Sequence, residues 1–302
     1  MKRALFAALA AAVVFFVAEI ALRIAGFTAP APVWDYRLRI SGELYGEPDP
    51  DLFWRLPNRK PDFRGPGLHV VCLADSVTVM DHGEGYPEDL PAAFAAAGFA
   101  EPVSVFNAGV PEYTAYQGRV YLEKELLGHD PNLVTVQFGV NDHWPAPGGV
   151  SDPDVRMPPM GRIALHRFLM RARVYQALRT MAAPRPVPEE RKPPRVQPEA
   201  YVANLRRIVE LSRAQNARVI FVVSPYLDRG WPWMAQHREY QQLTRETGAR
   251  LSVPVVDVAD RFLHAPELFL DPERDPIHFN REGGRIIARA IAETAIGMDG
   301  GT

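Results

Sequence analysis

The sequence predicts a three-layer α/β/α sandwich around a parallel sheet of about five strands, and two observations carry that prediction. Short apolar runs rich in β-branched residues recur along the chain, and segments of helical length with apolar residues at helical spacing separate them. The predicted strands are residues 69–73, 103–106, 133–138, 218–223 and 254–258. The predicted helices are residues 86–97, 113–127, 198–215, 233–247 and 281–295. Strands that are apolar on both faces and alternate with helices form parallel sheets with helices on either side.

The composition fits a large folded domain and excludes several other classes. The chain has 302 residues, of which 47% are hydrophobic, so it can bury a sizeable core and is not a disordered protein. Its 34 basic and 36 acidic residues leave a formal net charge of -2, which does not point to nucleic acid as a partner. Cys72 is the only cysteine and lies in an apolar run, which excludes a disulfide framework and predicts a buried, inert thiol.

Residues 1–27 are predicted to be an N-terminal transmembrane anchor or signal segment. Lys2 and Arg3 precede an apolar run that Glu19 interrupts and that then resumes. Its length is close to the roughly 20 residues that cross a bilayer, and the positive start predicts a cytoplasmic N-terminus. The rest of the chain is therefore expected on the outer side, in the periplasm or at the cell surface. Two alternatives stay open: a signal peptide that is cleaved to give a secreted protein, and a soluble helix in which Glu19 pairs with Arg23.

The rest of the chain is divided into a stalk and a main domain. Residues 28–66 are predicted to form an irregular stalk, because prolines end the preceding helix. Its aromatic residues are expected to pack on the main domain: Trp34, Tyr36, Tyr45, Phe53 and Trp54. The main domain is assigned to residues 67–299. An insertion at about 143–198 interrupts it and ends in a Pro-rich linker at 184–198, which is predicted to be extended or disordered.

A helix-like segment at residues 161–181 lies within the insertion. Apolar residues recur on it at helical spacing: Ile163, Leu165, Phe168, Leu169, Tyr175 and Leu178. Such spacing normally marks a buried face, so core packing is the favoured interpretation. The alternative is a helix that covers the edge of the sheet or hoods the site.

Polar turns occur at four places, three of them directly after predicted strands. Ser76 follows the first strand, Asn107 opens a turn after the second, Asn141 follows the third, and Asp275 and His278 share a turn near the C-terminus. Ligands of open parallel sheets bind at the carboxyl ends of the strands. These turns are therefore expected to meet at one edge of the sheet.

The residues in these turns meet the requirements of acyl transfer, which needs a nucleophile, a base, a group that orients the base and donors for the oxyanion. Ser76 is the candidate nucleophile, and His278 is the candidate base. Asp275 can hold the imidazole in the useful tautomer and stabilise its charged form. The backbone N–H of Ser76 and the side-chain amide of Asn141 are candidate oxyanion donors. Simpler interpretations stay open: a helix cap for Ser76, a turn for Asn141 and a packed surface histidine for His278.

Other histidines, His82, His143 and His237 among them, have no metal-ligand spacing and are predicted to be loop or surface residues. Asp81 and His82 follow the turn of the candidate nucleophile, where they are expected to line the rim of the pocket.

In these blocks the sequence resembles the SGNH, or GDSL-type, hydrolase and esterase family, whose members carry Ser, Gly, Asn and His in this order. The resemblance extends over about residues 69–295. It implies a flavodoxin-like fold, no metal or organic cofactor, and hydrolysis or transfer of small acyl groups on lipids or carbohydrates. By position it implies Ser76 as nucleophile, Asn141 as oxyanion residue, and Asp275 with His278 as the paired acid and base.

Two positions depart from the pattern of that family. Ala74 stands where the first block usually has glycine, which is a small change if its φ is negative. Glu112 stands where the second block usually has its oxyanion glycine, so its backbone N–H is a third candidate oxyanion donor. A carboxylate beside a developing oxyanion opposes it electrostatically unless the side chain turns away or is protonated. Asp75, which follows Ala74, matches a structural aspartate of the first block.

The leading hypothesis is a membrane-anchored, extracytoplasmic serine esterase or deacylase that acts on an acyl ester of a lipid, a carbohydrate or a small molecule. Two alternatives stay open. One is an O-acyltransferase that acts on an envelope glycan, since water and alcohol acceptors use the same base. The other is a catalytically impaired binding protein, which Ala74 and Glu112 motivate.

Overall fold

The computed structural model describes residues 2–29, 39–40, 43–44, 47–56, 59–78, 85–183 and 187–299. The helices are α1 (Lys2–Ile24), α2 (Tyr86–Ala96), α3 (Ala115–Tyr121), α4 (Met160–Leu169), α5 (Arg173–Ala182), α6 (Pro198–Ala214), α7 (Met234–Leu251), α8 (Ala259–Phe262) and α9 (Arg281–Asp299). The strands are β1 (Arg39–Ile40), β2 (Glu43–Leu44), β3 (Glu47–Asp49), β4 (Phe53–Arg55), β5 (Leu68–Ala74), β6 (Val103–Asn107), β7 (Leu133–Gln137), β8 (Arg218–Val222), β9 (Val255–Val256), β10 (Phe269–Asp271) and β11 (Asp275–Phe279). The chain forms two compact units, which we call the smaller unit (Met1–Trp54 with Arg156–Glu190) and the larger unit (Arg55–Val155 with Arg191–Thr302).

The larger unit contains a five-stranded parallel sheet with the strand order β6-β5-β7-β8-β9. Every residue of the central strand β7 is buried, as expected for a parallel strand that is covered on both faces. In the register of the sheet, Val70 lies opposite Leu133, and Leu133 lies opposite Arg218. The predicted flavodoxin-like sheet of five strands is confirmed, and the predicted strand ends are within two residues of the observed ones.

Helices cover this sheet on both faces. Leu90 and Phe94 of α2 pack with Ile287 and Ile291 of α9 against the apolar side chains of β5. Each fully buried isoleucine contributes about 1.5–3 kcal/mol relative to an exposed one. On the other side α6 packs against both α3 and α7, and all three helices contact the sheet, which completes the three layers. Cys72 is fully buried in the core, as predicted, and burial raises the pKa of its thiol to about 12.

The segment that carries Asp275 and His278 differs from the prediction. The sequence suggested a turn, but both residues lie on strand β11, which pairs antiparallel with β10. The side-chain oxygen of Asn280 then accepts the N–H groups of Glu282 (3.0 Å) and Gly283 (3.2 Å), which caps the start of α9. His278 is therefore fixed between a paired strand and a capped helix.

The second half of the Pro-rich run at 184–198, which was predicted to be extended or disordered, is held by backbone hydrogen bonds. The N–H of Arg195 donates to the carbonyl of Trp144 (2.8 Å), and the N–H of Val196 donates to the carbonyl of Asp142 (3.0 Å). These backbone hydrogen bonds hold the returning chain along the segment that follows β7. Local composition predicted an extended chain, but it contained no signal for these long-range partners.

The smaller unit contains α1, the one helix of the described residues that is long and apolar enough to cross a membrane. Its residues are largely exposed. Glu19 and Arg23 form an ion pair at 2.7 Å one turn apart. Phe53 and Trp54 of the predicted stalk are buried, whereas Trp34, Tyr36 and Tyr45 lie outside the described residues.

The helix-like segment at 161–181 forms two helices, α4 and α5, separated at residues 170–172. The favoured expectation of core packing is wrong for part of it. Ile163 is buried, but Leu165, Phe168 and Leu178 are 57%, 63% and 59% exposed. Helical periodicity identifies an apolar face without identifying what covers that face.

Candidate active site

Ser76 lies immediately beyond the carboxyl end of β5, at the start of a short 3-10 turn, Ser76–Thr78. Asp75 shapes this turn, because its Oδ1 accepts the N–H of Val77 at 3.0 Å. Ala74, which replaces the usual glycine, is the last residue of β5 and has no positive φ, so its Cβ meets no backbone strain.

Ser76, His278 and Asp275 form a continuous hydrogen-bonded chain. The Oγ atom of Ser76 lies 2.9 Å from Nε2 of His278, and Nδ1 of His278 lies 2.6 Å from Oδ2 of Asp275. A carboxylate only accepts hydrogen bonds, so Nδ1 carries the proton of the neutral ring and Nε2 is left to accept the proton of the serine. The fold thus brings together residues that are 202 positions apart in the chain.

The groups around His278 raise the pKa of its imidazole and so favour its charged form. Burial lowers the pKa of His278, but the hydrogen bond and charge of Asp275, with a further contribution from Asp75, outweigh it and raise that pKa. Burial acts to raise the pKa of Asp275, but the His278 hydrogen bond and charge and two backbone N–H groups lower it overall. The lowered pKa keeps Asp275 ionised, and an ionised Asp275 can stabilise an imidazolium at His278.

Asp75 is a second carboxylate near His278, and its environment is different. It is fully buried, and Oδ2 has no hydrogen-bond partner among the described residues. Burial raises its pKa to about 6, even though the N–H of Val77 and the charge of His278 act in the opposite direction. Its position supports the structural role that the sequence resemblance implied for it.

Asn141 is buried beside the third turn. One hydrogen of its Nδ2 amide goes to the carbonyl oxygen of Tyr113 at 3.0 Å. An amide nitrogen carries two hydrogens, so one remains for a ligand. The same bond ties the turn after β7 to the turn that contains Glu112.

Glu112 has a left-handed backbone, with φ of 62°, and its side chain is exposed. This is the conformation that glycine adopts most readily, so the backbone keeps the geometry of a glycine although the side chain does not. The exposed carboxylate fits the possibility, raised by the sequence, that the side chain turns away from the site.

Two residues hold the turn after β6 in place, and sequence reasoning assigned neither of them a role. Asn107 donates to the carboxylate of Glu88 at 3.1 Å and accepts the N–H of Gly109 at 3.0 Å. Arg59 donates to the carbonyl oxygens of Asn107 and Gly109, the latter at 2.8 Å. Asn107 opens the quoted second block and was a visible signal, whereas Arg59 lies 48 residues before it.

Arg195 and Asp152 form a buried ion pair near the start of α3. Arg195 donates to Asp152 at 3.0 Å and to Gln117 at 3.3 Å, and Thr114 donates to Asp152 at 3.0 Å. These groups connect the start of α3 with the two arms of the insertion. The neighbouring Asp142 accepts the backbone N–H groups of Ala115 and Gly139 at 2.9 and 3.0 Å.

Asp142 and Gly139 explain the sharp turn that presents Asn141. Gly139 has φ of +118°, a conformation that an L side chain rarely adopts. Burial raises the pKa of Asp142 to about 8, and the two backbone N–H groups act to lower it. The turn that the sequence predicted at Asn141 is thus held by a buried carboxyl group.

His237 corrects the prediction of a loop or surface residue, because it lies in α7 and is 1% exposed. His143 lies in the turn after β7, as expected of a loop residue, but it is only 7% exposed. His143 stacks on Trp233 with ring centroids 5.7 Å apart. Burial is the main factor that lowers the pKa of His143 to about 3 and that of His237 to about 4. Asp81 and His82 lie outside the described residues, among which no group of acidic, histidine and cysteine side chains could hold a metal ion.

The parallel sheet and the Ser-His-Asp chain at its carboxyl edge define a serine ester hydrolase with a three-layer α/β/α fold. The chain belongs to the GDSL-like lipase/acylhydrolase family, whose profile matches residues 72–286 and so covers Ser76 through His278. No curated protein matches the chain.

Solved structures share the fold at low sequence identity. A lipase/acylhydrolase from Enterococcus faecalis is 21% identical with a TM-score of 0.52, over 77% of this chain and 97% of that one. An alpha/beta hydrolase from the metagenome of Lake Arreo, Spain, is 22% identical with a TM-score of 0.51, over 76% and 95%. An acetylxylan esterase from Geobacillus stearothermophilus is 18% identical with a TM-score of 0.50, over 75% and 93%.

Proposed function

We propose that the protein is an extracytoplasmic serine esterase or deacylase that hydrolyses a short acyl ester on a carbohydrate, lipid or small molecule through an acyl-enzyme at Ser76. The observation that carries this proposal is the continuous hydrogen-bonded chain from Ser76 through His278 to Asp275. Membership of the family supports ester hydrolysis as the reaction class.

In the first half of the reaction, Oγ of Ser76 attacks the carbonyl carbon of the ester and its proton passes to Nε2 of His278. A C–O bond forms and the carbonyl oxygen becomes an oxyanion. When the oxyanion collapses, the bond to the alcohol breaks and His278 returns the proton to the leaving oxygen. Water then attacks the acyl-enzyme by the same route, which releases the acid and restores the Ser76 hydroxyl.

Three donors are assigned to the oxyanion: the backbone N–H groups of Ser76 and Glu112 and the remaining Nδ2 hydrogen of Asn141. The left-handed backbone of Glu112 supports its inclusion, because it is the conformation that a glycine takes readily. Asp275 holds the imidazole and balances its charge, which supports proton transfer in both half-reactions.

The proposed placement outside the cytoplasm depends on α1. Its length and apolar composition, with Lys2 and Arg3 at its start, support an uncleaved anchor with a cytoplasmic N-terminus. An intact N-terminus on the membrane-extracted protein, measured by mass spectrometry, is the expected result. A mass that lacks α1 would instead indicate a cleaved signal and a secreted enzyme.

The acetylxylan esterase fold neighbours make an acetyl group on a carbohydrate a reasonable first substrate to try. We expect the purified full chain to hydrolyse p-nitrophenyl acetate and a fluorophosphonate probe to label Ser76. The Ser76→Ala variant should lose both, and circular dichroism should show that it remains folded. Equal turnover by both proteins contradicts the proposal. If the acetyl group appears on an added glycan instead of as free acetate, the protein is an acyltransferase.

A further inference from the structure

A cavity of about 190 Å³ lies next to the turn that contains Glu112. Three of its lining residues, Arg55, Arg59 and Lys60, are cationic, and Val110 and Tyr113 contribute walls from the turn itself. We call this cavity the basic pocket. Residues 55–60 precede the region that matches the family, so this wall is a feature of the chain outside its family domain.

The positive charge of the basic pocket is not neutralised within the described part of the chain. Its only acidic lining residue is Glu125, and none of Arg55, Arg59 and Lys60 forms an ion pair with a described residue. The two acceptors of Arg59 are carbonyl oxygens, which carry no net charge. Such a concentration of unpaired cations attracts an anionic ligand.

The basic pocket is also close to the proposed oxyanion donors. Val110 is two residues from Glu112, and a residue spans at most about 3.6 Å, so their backbones are within about 7 Å. The carbonyl of Tyr113, another wall residue, accepts the Asn141 amide at 3.0 Å. Two wall residues of the basic pocket thus belong to the turn that carries Glu112, and a group bound in the pocket lies against that turn.

We propose that the basic pocket binds an anionic group, a carboxylate or a phosphate, on the ester substrate. This inference rests on the proposed esterase function and narrows its substrate class to acidic esters. Arg55 and Lys60 are exposed enough to meet such a group, while Arg59 is half-buried and also holds the turn.

The test compares 4-acetoxybenzoate with the neutral 4-acetoxybenzamide as substrates of the full chain. We expect kcat/KM to favour the anionic ester by on the order of tenfold or more, since hydrogen bonds to charged groups are among the stronger ones. The Arg55→Gln/Lys60→Gln variant should remove most of that preference, and added salt should weaken it. Arg250→Gln, on the exposed end of α7, is the matched control and should keep it. Equal turnover of both esters by the wild type overturns the proposal.

Titration with phenyl phosphate and with benzoate separates the two kinds of anion and does not depend on turnover. If neither ester is hydrolysed, the proposed function fails, but the basic pocket is still decided by this binding measurement. Binding that Arg55→Gln/Lys60→Gln loses supports the pocket. A wild type that binds neither anion overturns it.

A second, independent observation concerns the smaller unit. Its residues 156–188 contain seven arginines and no aspartate or glutamate, and Glu189 and Glu190 follow them. On the same segment Leu165, Phe168, Leu178 and Met181 are 57–83% exposed. A cavity of about 340 Å³ between α4 and α5 is lined by Arg162, His166 and Tyr175 and by apolar residues that include Leu165 and Leu169. We call this surface the α4–α5 face.

This surface is tied to the end of α1, where the apolar run stops. Glu19 accepts the N–H of Val174 at 2.9 Å, and Arg23 donates to the carbonyl of Arg171 at 2.9 Å. The N–H of Ala29 donates to Gln176 at 2.9 Å. The α4–α5 face is thus held beside the point at which α1 would leave a bilayer.

We infer that the α4–α5 face lies on the membrane surface and binds anionic lipid headgroups, with its exposed apolar side chains in the interfacial layer. The inference rests on the proposed anchoring of α1. Arginines interspersed with exposed leucine and phenylalanine are the composition of interfacial helices, and each cation near an anionic surface strengthens binding by about fivefold.

The test uses the full chain in nanodiscs with a spin label at Phe168→Cys or Leu178→Cys, which is selective because Cys72 is fully buried. We expect the label to become accessible to oxygen and shielded from an aqueous nickel chelate when phosphatidylglycerol is added to phosphatidylcholine. The Arg162→Gln/Arg171→Gln variant should shift the label back toward aqueous values. A label at Glu210→Cys on α6 of the larger unit gives the reference values for an exposed position outside the α4–α5 face. Labels at 168 and 178 that stay aqueous in both lipids overturn the inference, and loss of α1 by cleavage is detected separately by mass.

Discussion

Two pairs of oppositely charged groups in the larger unit differ in their exposure to water. The side chains of His278 and Asp275 are 25% and 33% exposed and are joined at 2.6 Å. The side chains of Arg195 and Asp152 are 7% and 0% exposed and are joined at 3.0 Å. An imidazole gains and loses a proton near neutral pH, whereas a guanidinium stays charged.

This difference in exposure suits the two pairs to different roles: His278 and Asp275 to proton transfer, and Arg195 and Asp152 to positioning the backbone. A partly exposed pair can change its protonation at modest energetic cost, because water stabilises both charge states. A buried pair cannot lose a partner without leaving an unpaired charge, so it fixes the backbone that carries it. Thr114 and Asp152 belong to the part that positions the backbone, and Ser76 belongs to the part that we propose reacts.

The largest expected effect is on turnover and comes from a change to the pair of His278 and Asp275. Asp275→Asn should lower kcat for p-nitrophenyl acetate by on the order of 10⁴, because an amide favours the wrong tautomer of His278 and does not balance its charge. Circular dichroism should be unchanged, since the pair is partly exposed. A decrease below about tenfold would show that another group orients the base.

The buried pair should affect stability more than chemistry. Arg195→Met leaves the carboxylate of Asp152 without its cation, and the free energy of unfolding should fall by about 3–5 kcal/mol. Urea denaturation followed by circular dichroism measures it. Adding Asp152→Leu to Arg195→Met should recover much of the loss, because the unpaired charge is then removed as well.

The matched control is the exposed pair Arg245 and Asp257, which is joined at 2.6 Å with side chains 32% and 36% exposed. Arg245→Met should lower the free energy of unfolding by no more than about 1 kcal/mol. Equal losses for the buried and exposed pairs would contradict the comparison.

Asn141→Ala tests the oxyanion donor and should lower kcat by on the order of 100-fold to 1000-fold with little change in KM. Asn204 is a suitable control, because it is about as buried as Asn141 (7% against 8% exposed) and its Oδ1 accepts a hydrogen bond from Arg119. Asn204→Ala should leave kcat unchanged. Equal effects of the two variants would assign Asn141 to stability alone.

The pH dependence follows from the direction of the His278 shift. His278 must be neutral to accept a proton, and its pKa is raised above the ordinary value near 6.5. The acid limb of kcat/KM should therefore lie above that value, with activity rising as the pH rises through it. In Asp275→Asn the two larger raising interactions are lost, while burial and the smaller contribution of Asp75 remain, so the pKa of His278 should fall, as NMR titration of labelled histidine can measure. An unchanged pKa would contradict the assigned cause.

Much of the fold was predictable from the sequence because the strands of the sheet are local apolar runs. Strand β7 reads Leu-Val-Thr-Val-Gln, and three of its five residues are β-branched, so its composition identifies it as a strand. The arrangement at α4 and α5 was not predictable in the same way. Periodicity placed Leu165 and Ile163 on apolar faces, but only the tertiary structure determines that Ile163 is buried and Leu165 exposed.

The candidate site likewise contains residues that the sequence predicts and residues that only the tertiary structure reveals. Asp275 and His278 are three residues apart and stand with Ser76 in recognisable blocks, so their association could be proposed from sequence. Arg195 and Asp152 are 43 residues apart, in segments whose composition indicates only loop or linker. Their pairing depends on long-range packing, for which a single sequence carries no local signal.

The smallest expected effect concerns Glu112, whose left-handed backbone is unfavourable for a residue with a Cβ. Glu112→Gly should raise the free energy of unfolding by about 0.5–1 kcal/mol, because relief of the backbone strain exceeds the entropy that glycine adds to the unfolded chain. Thermal denaturation is the measurement. Asp130→Gly, at another exposed residue with φ of 52°, controls for the conformational gain alone.

Glu112→Gly and Asp130→Gly should each have nearly the same turnover as the wild type. The carboxylate of Glu112 is exposed, so water and salt screen it from the oxyanion, and its removal should change kcat by less than about threefold. Asp130→Gly should not change kcat. A gain of about 100-fold in Glu112→Gly alone would mean that the carboxylate suppresses the chemistry, and the wild-type protein would then be better described as a binding protein built on the same Ser76 and His278.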